Sequence, residues 1–106
     1  MTAIHLIEKK GTSQGLRPIE LKARRWESGY WKVAEETAKR LIGGRIFLHT
    51  SWSEPSHFGG HIDAFTIHRA PGTEVDGRII FYFTAEENGK HVVAPPGASG
   101  EKRIVW

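Results

Sequence analysis

The stretch Arg78 to Thr84 (RIIFYFT) is the most apolar in the chain. β-Branched and aromatic side chains dominate it, and it is too short for an amphipathic helix. A strand this apolar belongs inside a sheet, with neighbours on both sides. The rest of the chain must supply those neighbours. Ala3–Glu8 (AIHLIE) reads as a first strand, and Lys9–Gly15 as a polar loop. A second strand starts at about Ile19 and runs to Arg24, with Pro18 near its start, where a missing N–H does least harm. Arg45–Thr50 (RIFLHT) and His61–Arg69 (HIDAFTIHR) read as strands by composition. Ala70–Thr73 turns the chain, and Glu87–Lys90 reads as a hairpin turn through its Asn-Gly pair. His91–Ala94 forms a short strand, Pro95–Gly100 a loop, and Lys102–Trp106 (KRIVW) an edge strand.

One segment carries a helical period. From Ser28 to Leu41, Trp31, Ala34, Ala38 and Leu41 recur on one face, followed by Ile42. Ser28 can cap the first turn with its hydroxyl. Glu35–Lys39 and Glu36–Arg40 are spaced for ion pairs along the helix. Gly43-Gly44 ends it, because glycine takes the left-handed cap conformation readily. About six strands with one early helix and mostly short connections favour antiparallel pairing. The expected fold is α+β: a small, mostly antiparallel β-barrel with one main helix packed against it.

The chain has 106 residues, enough for a single domain over 1–106 with one core. It has no cysteine, which removes disulfides, thiolate metal sites and a cysteine nucleophile, and fits a cytoplasmic location. Its start, MTAIHLIEKK, lacks a signal-peptide pattern. No apolar run approaches the ~20 residues that span a bilayer. The net charge of +3 permits an anionic partner without demanding one.

The order of elements resembles the PUA-like superfamily, closest to its ASCH and EVE branches. The resemblance rests on a helix ending in Gly43-Gly44 and entering the strand Arg45-Ile46-Phe47-Leu48-His49-Thr50. A second glycine step, Gly59-Gly60-His61-Ile62, follows the next loop. Glu20-Leu21-Lys22-Ala23-Arg24 is similar to the Trp-Glu-x-Arg segment of ASCH domains. Gly44 stands where that family has Asp, and Ile19 where it has Trp. The resemblance covers roughly Ile19 to Thr84. It implies binding of RNA or a modified nucleobase in a cleft between helix and barrel, near Lys22, Arg24 and the 51–60 loop.

The residues point to the same region. Ser51–Gly60 (SWSEPSHFGG) gathers polar, titratable and aromatic groups between two strands, where sites usually sit. Trp52 and Phe58 offer faces for base stacking. Ser51 and Ser53 can donate and accept at base edges. Lys22 and Arg24, on one face of a strand, would hold phosphate. The reading is therefore a nucleic-acid-binding module with ligand contacts at Lys22, Arg24, Ser51, Trp52, Ser53 and Phe58. The first alternative is a small hydrolase of RNA or a modified nucleoside, with Lys22, Thr50 and Glu54 as catalytic candidates. The second is a protein-interaction domain that dimerises through the KRIVW edge. No cofactor is expected. His49, His57 and His61 raise a metal site, but Gly59-Gly60 breaks any helical pairing, and hydrogen-bonded structural histidines are the preferred account.

Overall fold

The computed structural model describes residues 2–8 and 16–106; the Lys9–Gly15 loop expected from sequence lies outside them. The strands are β1 (Ala3–Ile7), β2 (Arg17–Glu20), β3 (Arg25–Trp31), β4 (Arg45–His49), β5 (Phe58–Ile67), β6 (Ile79–Ala85) and β7 (Lys102–Val105). One helix, α1 (Glu35–Leu41), precedes β4, and a single 3-10 turn spans Glu87–Gly89. All seven strands join one sheet in the order β2-β3-β6-β5-β4-β1-β7. Strand β6 lies between β3 and β5, the interior place that its apolar composition requires. Every pairing is antiparallel except β1 with β4, which is parallel.

The sheet is open. Strands β2 and β7 are its edges and do not pair with each other, so the expected closed barrel is not formed. The sheet still has to bury one face. A seven-residue helix covers little of a seven-stranded sheet, and most of the buried cluster comes from the strands themselves. Ile4 and Leu6 of β1, Ile46 and Leu48 of β4, Ile62 of β5, and Ile79, Phe81 and Phe83 of β6 form one buried cluster. Trp31, Ala38 and Leu41 complete it from β3 and α1.

The helix is shorter than its periodicity suggested. Residues from Arg25 to Trp31 are strand, and the helix begins after Ala34, which makes no side-chain cap. Ser28, expected as the cap, is wholly buried on β3 opposite Phe81, and its Oγ accepts the Trp31 indole N–H at 3.0 Å. Of the positions that gave a helical period, Ala38 and Leu41 do lie on α1, whereas Trp31 ends β3. Pairing with β6 decides for strand there, across a register shift between Ser28 and Trp31. Lys39 contacts both Glu35 and Glu36, at 3.5 and 3.4 Å. Arg40 does not pair with Glu36 but lies over the Trp106 ring, 4.1 Å from its centroid.

Three further local expectations change. Strand β2 is Arg17–Glu20, so Lys22 and Arg24 belong to the following turn and share no strand face. Asn88-Gly89 lies in the 3-10 turn rather than in a hairpin, and His91–Ala94 pairs with no strand. The β7 edge stands where KRIVW placed it, against β1. No helix among the described residues is long and apolar enough to cross a membrane.

Candidate ligand-binding clefts

One cleft lies where β3, β5 and β6 meet the connecting loops, a second lies between the 50–57 loop and Lys90-His91, and Lys90 lines both. The first is about 230 Å³ and is lined by Leu21, Arg24, Trp26, Phe58, Ala85, Glu86, Glu87 and Lys90. The β2–β3 turn brings in its basic wall. Arg24 has a φ of 57°, a left-handed conformation uncommon outside glycine. Its N–H reaches the Leu21 carbonyl at 3.1 Å, and its own carbonyl accepts the Ala85 N–H at 2.8 Å. Trp26 is opposite Phe83 in the β3–β6 register, on the core side of the sheet. Its ring meets Phe58 edge-on at 4.9 Å, and Phe58 meets Phe83 at 5.8 Å. The aromatic floor is therefore the open end of the core, with Trp26 and Phe58 only partly buried.

The acidic wall is partly committed. Arg45 Nε lies 3.3 Å from Glu86 Oε1, but the N–H does not point along that line, leaving a charge contact without a directed hydrogen bond. Arg45 spends its other donors on Asn88, at 2.7 Å to Oδ1 and 3.3 Å to the carbonyl. Glu86 also faces His61 at 3.7 Å. Glu87 is exposed on the 3-10 turn. That turn sits close to β5 where Gly59 and Gly89 meet: a Cβ on Gly89 would collide with the Gly59 backbone, and one on Gly59 would collide with the Ile46 carbonyl.

The second cleft is about 560 Å³ and is lined by Thr50, Glu54, Pro55, Ser56, His57, Lys90 and His91. Ser56 fastens its two walls. Its Oγ donates to the Gly89 carbonyl at 2.7 Å and accepts the Val92 N–H at 3.0 Å. Its backbone exchanges further bonds with His91 and Val92. His57 Nε2 donates to the Glu8 carbonyl at 2.8 Å. His91 holds a φ of 64°.

Behind this cleft, on the side of β1 and β4 away from the apolar core, is a buried polar layer. His5 Nδ1 and His49 Nε2 are 2.8 Å apart, and His49 Nδ1 is 2.9 Å from the Glu54 carbonyl. A carbonyl only accepts, so His49 donates to Glu54 and His5 donates to His49. Burial, with the His49 neighbour adding to it, pulls the His5 pKa down to about 4. Burial likewise lowers His49, against the opposing bond from Glu54, with His57 lowering it further. Burial also raises the Glu8 carboxyl to about 7.

The residues singled out from sequence divide between these places. Arg24 and Phe58 meet in the first cleft, and Thr50 and Glu54 in the second. Lys22 lines neither; it is exposed on the turn, its backbone N–H held by the Glu20 carboxylate at 3.2 Å. Ser51 and Ser53 bond to each other at 2.9 Å. Trp52 does not face Phe58. It lies against His49, and its indole N–H donates to the Gly100 carbonyl at 2.9 Å, whereas Phe58 shares the core face with Leu48. Trp52 thus clasps the C-terminal segment over the histidine layer. The cleft groups missed as site residues are Trp26, His57, Lys90 and His91. Trp26 lies two residues after Arg24 in the sequence; Lys90 and His91 carried no signal beyond lying after an Asn-Gly turn.

His49 and His61 do not converge: His49 pairs with His5, and His61 Nε2 lies 3.0 Å from Asp63. Among the described residues no three His, Asp or Glu side chains gather as a metal site would require. No family model matches the chain, and comparison with curated proteins and with solved structures gave no match.

Proposed function

We propose that the chain is a nucleic-acid-binding module that holds a nucleobase in the cleft of Arg24, Trp26, Phe58 and Lys90. The observation that carries this reading is the joining of partly exposed aromatic rings with two cations around one small opening. At about 230 Å³ the cleft is below the roughly 300–1,000 Å³ of sites for drug-sized ligands, a scale suited to one base. Trp26 and Phe58 supply apolar surface for the ring. Arg24 and Lys90 stand at the rim, where a phosphate would lie. Glu86 and Glu87 can accept hydrogen bonds from amino groups on a base edge. Membership of the PUA-like superfamily belongs to the same proposal. It is supported by the helix running through Gly43-Gly44 into β4 and by the Gly59-Gly60 step in β5.

The test is tryptophan fluorescence during titration with short single-stranded RNA and DNA at two salt concentrations. Saturable quenching is expected, weakening as salt rises. Arg24→Glu and Lys90→Glu should each lower the salt slope by about 1, while Lys32→Glu, outside both clefts, should change little. A flat titration, or equal losses in all three variants, refutes the proposal.

A further inference from the structure

We infer that the ligand is a strand of at least two nucleotides, spanning both clefts with a phosphate on Lys90. This inference rests on the nucleobase reading of the first cleft and extends it. Its basis is the junction. Lys90 lines both openings, so one cation is within reach of a ligand in either. A free base or nucleoside would fill only the aromatic end and leave the larger opening idle.

The arrangement around Lys90 fits a phosphodiester bridge. Lys90 directly follows the 3-10 turn that Gly59 and Gly89 press against β5. The next residue, His91, gives its backbone N–H to the Ser56 carbonyl at 2.7 Å. The cation is therefore anchored on both sides by backbone contacts, while its side chain is free to reach an anion. A lysine ammonium recognises a phosphate as a point charge and tolerates either strand polarity.

Beyond Lys90 the second cleft changes character. It has no aromatic ring besides the imidazoles of His57 and His91, and besides Lys90 and Ser56 its polar groups are Thr50, Glu54 and those two histidines. His57 is held in one orientation by the Glu8 carbonyl, and its imidazole lines the cleft. Imidazole faces stack on bases. The Thr50 hydroxyl and the Glu54 carboxylate can bond sugar hydroxyls or a base edge. The first cleft thus grips a base by its ring, and the second takes the next nucleotide by polar contacts.

The experiment compares a nucleoside monophosphate, an RNA dinucleotide and an RNA tetranucleotide of the same base by calorimetry on the full chain. The dinucleotide should bind about tenfold more tightly than the monophosphate, in line with one further stacked nucleotide. His57→Gln should remove most of that gain and leave monophosphate binding unchanged. His91→Gly is the second variant, because glycine accepts the backbone conformation at that position; it should act in the same direction. A dinucleotide no tighter than the monophosphate overturns this inference and leaves the nucleobase reading standing. Equal weakening of both ligands by the two histidine variants also overturns it. If neither ligand binds, both readings fall.

Discussion

Strands β1 and β4 bury both of their faces, and the two faces are built differently. One carries Ile4, Leu6, Ile46 and Leu48, all fully buried in the main cluster. The other carries Ala3, His5, Phe47 and His49, also buried, but with two imidazoles among them. The apolar face packs within the main cluster, to which α1 adds Ala38 and Leu41. The polar face is covered by the 50–57 loop and by the C-terminal segment that Trp52 and Ile7 tie down through Gly100 and Glu101. Hydrocarbon burial is non-directional and does not depend on pH. A buried imidazole is stable there only as a neutral ring with its nitrogens bonded. Two equally dry faces of the same strands should therefore respond differently to the same perturbations.

The largest effect belongs to the apolar face. Leu48→Ala should cost about 2–5 kcal/mol through lost burial and the cavity left behind. Chemical denaturation should give the same loss at pH 7.5 and pH 5. A loss that changes with pH would mean the two faces are not independent.

Next comes acidification. The His5 pKa falls from 6.5 in the unfolded chain to about 4 in the folded one, and His49 shifts the same way. The unfolded chain then takes up protons that the folded chain refuses. Stability from this pair is complete above 6.5 and is lost as pH falls toward 4. The loss should reach up to about 3 kcal/mol, read as a falling thermal midpoint between pH 7 and pH 4. The double variant His5→Phe with His49→Leu exchanges both partners for apolar groups, a change that can be close to neutral at pH 7.5. It should flatten the acid limb. An unchanged acid limb would place the pH sensitivity elsewhere.

Glu8 gives the smallest and opposite effect. Its carboxyl titrates at about 7 when folded, against 4.5 when unfolded. The stability it contributes is present below 4.5 and is lost as pH rises through about 7. Glu8→Gln should therefore gain about 1–2 kcal/mol over the parent at pH 8, and that gain should disappear at pH 4. A gain that persists at pH 4 would show that the carboxyl acts by shape rather than by charge.

Much of the architecture can be read locally. The β6 run is interior because its apolar composition suits a strand with neighbours on both sides, and Gly43-Gly44 ends α1 where two glycines must. KRIVW lies at an edge as its basic residues allow. The segment from Ser28 to Trp31 misleads because the spacing of Ser28 and Trp31 suits a helix as well as a strand with a register shift. Only Phe81 and Ile79, some fifty residues away by numbering, supply the bonds that choose strand. The sites show the same division. Arg24 and Phe58 were recognisable as ligand-binding types, and each does line a cleft. Trp52 has the same chemistry as Trp26, and nothing near it in the chain says that its indole N–H is taken by Gly100.

Composition and pattern alone determined a strand-rich chain with one helix, an interior β6, an outer β7 and a mildly basic surface. Tertiary structure decided that the sheet stays open, that β1 runs parallel to β4, that His5 meets His49, and that Lys90 stands between two clefts. The first group follows from propensities and periodicities acting over a few residues. The second depends on pairings between segments far apart in the chain, whose register is set by burial and hydrogen bonding in the assembled sheet.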